Sequence, residues 1–215
     1  MAIQTEPVQR RLVSEAVYDS LLSDVLTGRL QAGDALPSER ALSEGFAVNR
    51  HAVREAIKRL QQAGLVLVAQ GGATRVNDWR RTAGLDLLVS LVGAARGEGR
   101  AALLGDVLEM RAAVGADVAR ACAQRSAPRL QPAAGAEGYA QLWEAIADGA
   151  GNLAYRLALN TLIAAQRGGA IDPGIYAVEY EDVAAQADLL DAIAAGDAPR
   201  AECLARDLLE RSVAG

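Results

Sequence analysis

Apolar residues recur at three- and four-residue spacing along most of the chain, and only one short stretch follows a strand pattern. Between Asn49 and Ala63 the stripe is Val53, Ala56, Ile57 and Leu60, while Arg50, His51, Arg54, Lys58 and Arg59 fall largely on the opposite side. One face suits a core and the other an anion. Asn49 is a good N-cap and Gly64 stands where a helix C-terminus takes a left-handed residue, so a helix of about four turns is bracketed at both ends. Ahead of it, Ser38 can cap a shorter helix from Glu39 to about Phe46, with Ala41, Leu42 and Phe46 as inward candidates. Behind it, Leu65 to Val68 and Thr74 to Val76 flank Gly71 and Gly72 and predict a two-stranded hairpin.

Two short helices joined by a turn and followed by a hairpin form the order of a winged helix-turn-helix, whose second helix enters a major groove. A further helix is expected before them, from Ser14 to Leu30, on the stripe Val17, Leu21, Leu22, Val25 and Leu26; Met1 to Val13 are polar and expected to fray. After Asn77 the pattern is helical throughout. Thr82 can cap a segment carrying Leu85, Leu87, Leu88, Leu91 and Val92, and a long stripe runs from Ala101 to Gln124. Ser126 to Gly138, with two prolines and two glycines, reads as a loop. Helices then follow over Tyr139–Ala150, Asn152–Arg167 and Ile175–Ala195, and a last one is capped by Asp197, carries Pro199 in its first turn and ends near Ser212. The fold class is therefore mainly α, a winged helix-turn-helix domain over residues 1–77, a linker and connecting helix over 78–98, and an all-α antiparallel bundle over 99–215.

The formal net charge of −5 argues at first against nucleic acid, but it is unevenly spread. Residues 1–81 hold eleven Lys and Arg against nine Asp and Glu, for +2, and residues 82–215 hold eleven against eighteen, for −7. A mildly basic head on an acidic body suits a DNA-binding module joined to something else. Met1 to Arg11 has no apolar signal core and no uncharged apolar run reaches about 18 residues, so a soluble cytoplasmic protein with no membrane partner and reduced Cys122 and Cys203 is expected. Alanine is abundant, which fits a GC-rich genome more than a physical requirement. Catalysis lacks its materials: His51 is the only histidine, no phosphate loop is present, and the run from Glu179 to Asp182 reads as a solvated helix face.

The stretch from Ala16 to Asn77, with L-P-S-E-R-A-L-S, then V-N-R-H-A-V-R-E-A-I-K-R-L and G-L-V, resembles the winged-helix domain of GntR-type bacterial transcription regulators. Its continuation, G-G-A-T-R-V-N-D-W-R-R-T-A-G-L-D-L-L, resembles the linker of the FadR-type members. By position, the resemblance implies DNA contacts from Arg40, Asn49, Arg50, His51, Ala52 and Arg54, with Gln70, Gly71 and Gly72 at the wing tip in the minor groove. The chemistry of these residues suits contact with a duplex. Arg donates to guanine or phosphate, a small side chain such as Ala52 allows close approach or meets a thymine methyl, and glycines bring backbone near. Arg40 could instead pair with Glu44 one turn on.

The same resemblance implies a homodimer on operator DNA, with the bundle serving as effector and dimerisation domain. Relatives that bind a divalent metal there use one Asp and three His; the matching positions are Tyr139, Trp143, Gln186 and Leu208, so no metal cofactor is expected. Metal-free FadR-type members hold a long-chain acyl-CoA in an apolar cavity, which is the leading effector class. Arg111 occupies the position of an arginine facing the effector, or else pairs internally with Glu109 or Asp106, and Tyr139, Trp143, Tyr155, Tyr176 and Tyr180 are candidates to line the cavity. Ser126–Gly138 is about one helix short of the family body and Cys203–Arg211 carries no aromatic residue, so a small carboxylate effector, or a bundle that only dimerises, stays open.

Overall fold

Helix α1 of the computed structural model runs Val8–Leu26 and buries Val17, Tyr18, Leu21, Leu22 and Val25. It begins earlier than expected, because Gln, Arg and Leu in its first turns are good helix formers although polar in part. It also stops earlier, since Gly28 adopts φ +74°, which a right-handed helix cannot continue. The structure describes residues 8–69, 72–85 and 87–213, and the chain divides into two compact units between Leu87 and Leu88.

In the first unit α2 (Glu39–Gly45) is capped by Ser38, whose hydroxyl accepts from the Ala41 amide at 3.2 Å. Leu42 is its buried residue, while Ala41 is exposed and Phe46 half-buried. α3 (Arg50–Gln62) is capped by Asn49, whose Oδ1 accepts from the Ala52 amide at 2.9 Å, and it buries Ala52, Val53, Ala56, Ile57 and Leu60. It packs on α1 and, less extensively, on α2. Gly64, at φ +74°, turns the chain into β1 (Val66–Leu67), which pairs antiparallel with β2 (Arg75–Val76), Val66 opposite Val76 and Leu67 opposite Arg75. Leu65, Val66 and Val76 close the core beneath this wing.

The Gly64 carbonyl is the knot of the unit. It accepts from Asn77 Nδ2 at 3.0 Å and from the Thr82 hydroxyl at 2.8 Å. Thr82 is therefore the last residue of the short α4 (Trp79–Thr82) and not the cap of the next helix, its hydroxyl also donating to the Asp78 carbonyl at 3.1 Å. The next helix, α5 (Leu87–Ala94), begins at buried Leu87, and in the second unit its Val92 joins Val107, Leu108, Ile171 and Tyr176 in one cluster.

The second unit is all-helical among its described residues. α6 (Gly97–Arg125) is about 44 Å long at 1.5 Å per residue, and the helices that follow it complete the unit. They are α7 (Gly135–Gly149), α8 (Leu153–Arg167), the short α9 (Ala177–Tyr180), α10 (Val183–Ala194) and α11 (Ala198–Glu210). The most extensive contact is between α6 and α11. Ala112 and Ala119 of α6 and Ala201 and Ala205 of α11 are buried in its core, and a Cβ added to Gly115 would lie 2.3 Å from Leu209 Cδ1. Small residues let the two backbones approach, so the alanine richness has a structural use here.

Two boundaries differ from expectation. α7 begins at Gly135 and not Tyr139, because Pro128 and Pro132 confine the irregular stretch to the residues before it. The single helix expected over Ile175–Ala195 is instead a 3-10 turn at Pro173–Tyr176, then α9, a break, and α10. Asp182 makes the break by capping α10, its Oδ1 accepting from the Ala185 amide at 2.9 Å, and Gln186 Nε2 donates to the carbonyls of Tyr180 and Glu179 at 3.1 and 3.3 Å.

Two outcomes are expected from these features. Gly64→Ala forces an L residue into the left-handed region and sets a Cβ 2.6 Å from the Thr82 carbonyl oxygen, so it should destabilise the first unit by more than the roughly 1–2 kcal/mol of the left-handed conformation alone, read by denaturant unfolding. The Ala185 amide and then the Arg211 guanidinium hold the Asp182 carboxyl below its ordinary range. Its contribution to stability is thus fully present above the ordinary range and lost as pH falls below that range through the depressed pKa, and Asp182→Asn should flatten the acid limb of a stability-versus-pH curve.

Candidate functional site

Asn49 starts α3 on the surface of the first unit, and Arg50, His51 and Arg54 are exposed along its first turns. Their carbon stems need no core, because the apolar stripe on the opposite side already supplies one. Arg54 is held by Glu39 of α2, with Nε 3.1 Å from Oε1 and Nη2 2.7 Å from Oε2. The Arg54 hydrogen bond holds the Glu39 carboxyl below its ordinary range, against weak desolvation, and the charges of Arg54 and Arg50 act in the same direction. The pair is well exposed, so water and salt compete with it and a stronger anion could replace Glu39. Arg40 makes the alternative contact with Glu44, at 3.5 Å, and it too is exposed. Gly72 is exposed, its amide donating to the Ala69 carbonyl at 3.1 Å, while Gln70 and Gly71 lie outside the described residues.

Ala52 departs from what the resemblance implies. It is 5% exposed and lies on the apolar side one turn before Ala56, where its methyl contributes to the core and is not available to a base. Asn49 is also partly committed: its Oδ1 serves the cap, leaving Nδ2 as the group free to donate outward.

The second unit contains a cavity with room for solvent centres of about 60 Å³. Met110, Val114, Val118, Leu159, Leu162 and Leu209 supply apolar wall, and Arg111, Tyr139, Trp143 and Tyr155 all line it. At about 10–15 Å³ of such space per water, this is four to six water positions, comparable to a short alkyl chain and far below a long one. Tyr155 turns its hydroxyl to Asp117 Oδ2 at 2.9 Å. Both Nη atoms of Arg111 are engaged within the protein: each lies 2.7 Å from an oxygen of Glu179, and the guanidinium sits 4.3 Å from the centre of the Tyr176 ring. The Glu179 carboxylate also accepts from the Tyr139 hydroxyl at 2.7 Å and from Ser212. Burial pulls the Arg111 pKa down, and the Glu179 charge and hydrogen bond more than reverse it, so Arg111 stays a cation. Burial first, and then the Glu179 charge, push the Tyr139 phenol upward, so it stays a donor.

Residues 13–76 match the model of the gntR family of bacterial regulatory proteins. The HTH-type transcriptional regulator Mce2R of Mycobacterium tuberculosis is 39% identical over 98% of this chain and 93% of its own length. The chain belongs to the gntR family. A fatty acid metabolism regulator protein of Edwardsiella ictaluri is 30% identical over 66% of this gntR member and 64% of its own length. The Streptococcus agalactiae GntR structure aligns over 94% of this chain and 100% of that one at 18% identity, with a TM-score of 0.44. The function is accordingly that of a DNA-binding transcriptional regulator and not of an enzyme.

Within this gntR member the acidic run Glu179–Asp182 is only in part the solvated helix face expected of it, since Glu181 is exposed but Glu179 is 0% exposed. The internal partner of Arg111 is this residue, 68 positions away, and neither Glu109 nor Asp106. No sequence signal marks Glu179 as buried; its spacing after Tyr176 is compatible with either face. The four positions matched to metal ligands in relatives are buried here: Tyr139 and Trp143 line the cavity, Leu208 is in the core, and the Gln186 amide is taken by Ala133, Glu179 and Tyr180. Among the described residues no three His, Cys, Asp or Glu side chains come together as a metal cage would need, and no helix is long and apolar enough to cross a membrane.

Removing one partner of the buried pair should be costly. Glu179→Gln is expected to destabilise the protein by about 3–5 kcal/mol, whereas Arg111→Met combined with Glu179→Leu should lose much less, as urea unfolding of the two variants would reveal.

Proposed function

We propose that this regulator binds operator DNA as a FadR-like homodimer, α3 of each copy in a major groove and each wing tip in the adjacent minor groove, and that an acyl ligand of the fatty-acid class bound in the second unit changes its affinity for DNA. The observation that carries the reading is the exposed face at the start of α3, where Arg50, His51 and Arg54 stand together beyond a capped N-terminus. Arg40, Arg50 and Arg54 would hold phosphate or guanine, with His51, the Asn49 amide group and backbone at Gln70, Gly71 and Gly72 completing the surface. Ala52 supports that face by packing beneath it. Two-fold symmetry of the dimer would set two half-sites.

The apolar cavity supports the effector part of the reading, as does likeness to a protein named as a fatty acid metabolism regulator. Its volume favours a short acyl group over the long chain suggested by resemblance. A ligand there alters operator binding only through unequal affinity for the DNA-competent and incompetent arrangements.

Fluorescence anisotropy on DNA from upstream of its own gene, at one fixed salt concentration, tests both parts. Arg54→Ala should lose roughly tenfold or more in operator affinity, in line with one lost bidentate contact, while the dimer persists on size-exclusion; unchanged affinity would remove Arg54 from the interface. Hexanoyl-CoA should release the DNA where coenzyme A and succinate do not. Release by succinate alone would instead favour a small-carboxylate sensor, and indifference to all three a bundle that only dimerises.

A further inference from the structure

Resting on the reading of the cavity as an effector site, we infer that it takes an uncharged acyl compound, an ester or thioester on a short alkyl chain whose carbonyl oxygen accepts from the Trp143 indole N–H, and that it rejects the free carboxylate. The charge balance of the wall is the first ground. Arg111 is the cation lining the cavity, and both of its Nη atoms are already 2.7 Å from the oxygens of Glu179. Glu179 is fully buried and is further satisfied by Tyr139 and Ser212. A ligand carboxylate that captured Arg111 would strand Glu179 as a buried anion, and one that left the pair intact would itself be the stranded anion.

The second ground is an unused donor. Trp143 lines the cavity, is 6% exposed, and its Nε1 is the one buried side-chain nitrogen or oxygen among the described residues without a hydrogen-bond partner. The indole stands edge-on to the Tyr139 ring, centroids 6.3 Å apart, and its N–H favours the charged form of that phenol without closing a hydrogen bond to it. An indole N–H can only donate, and leaving it unmatched in an apolar site is costly, so the complementary ligand brings a lone pair without bringing a charge. Met110, Val114, Val118, Leu159, Leu162 and Ile163 then face the alkyl part.

Calorimetric titration of the full-length protein, free of DNA and at neutral pH, with methyl hexanoate and with hexanoate separates the possibilities. The ester should bind saturably and at least roughly tenfold more tightly than the carboxylate, the ratio expected when one ligand must bury an unpaired charge. On adding the ester, the Trp143 indole proton resonance should move downfield, and in Trp143→Phe the ester affinity should drop about tenfold, as for one lost hydrogen bond to a buried donor, with operator binding retained as the sign of a folded protein. Gly115→Ala, which sets a Cβ 2.3 Å from Leu209 Cδ1 in the cavity wall and so forces that wall to repack, should weaken ester binding independently of the indole. Equal or tighter binding of hexanoate, or an unmoved indole resonance in the ester complex, overturns this inference and leaves the effector-site reading standing. If neither molecule binds while operator DNA still does, the effector-site reading falls and this inference falls with it.

Discussion

Glu179 is a carboxylate with no access to water, and the second unit depends on how that charge is met. Arg111 meets it from the middle of α6, Tyr139 from the first turns of α7, and Ser212 from just beyond α11. A single acidic side chain thereby joins four segments. Ion pairs buried in this way seldom add net stability over an apolar replacement, because desolvation consumes most of the attraction. What they impose is arrangement: with both fork contacts and two hydroxyls required at once, few other packings of α6, α7 and α9 satisfy the carboxylate.

The same two residue types do different work in the first unit. Arg54 and Glu39 form an equally well-directed pair, but both are substantially open to solvent, and the pair can exchange its carboxylate for another anion at little cost. Burial thus separates an arginine that organises a fold from one that is available to a partner. The contrast also explains why Arg111, placed by resemblance before an effector, is a poor anchor for an acid. Its charge is spent within the protein, and the adjoining cavity wall is electrically neutral.

The small residues of α6 and α11 make a related point about packing. Close approach of the two backbones is possible because Ala112, Gly115, Ala119, Ala201 and Ala205 present little side chain at the seam, and Leu209 and Trp143, packed against Gly115, bound the cavity. The size of that cavity is consequently sensitive to single methyl groups, as expected of interiors packed to near-crystalline density.

Local chemistry is legible in the sequence alone. Ser38, Asn49, Asp197 and Gly64 are recognisable as helix ends from their neighbours, and the structure gives them these roles, since a cap reaches only to amides two or three residues away. The winged helix-turn-helix and the helical bundle follow in the same way, from apolar spacing within one turn or one strand. By that criterion Ala52 belongs inside, as it shares a face with Ala56, although the resemblance points it toward a base. Only the tertiary structure decided that Glu179 is buried, that its partner lies 68 residues earlier, that Asp182 breaks a continuous helical pattern, and that Trp143 keeps an unmatched N–H. Each of these depends on which distant segments pack together, and periodicity says which face a residue occupies without saying what will cover it.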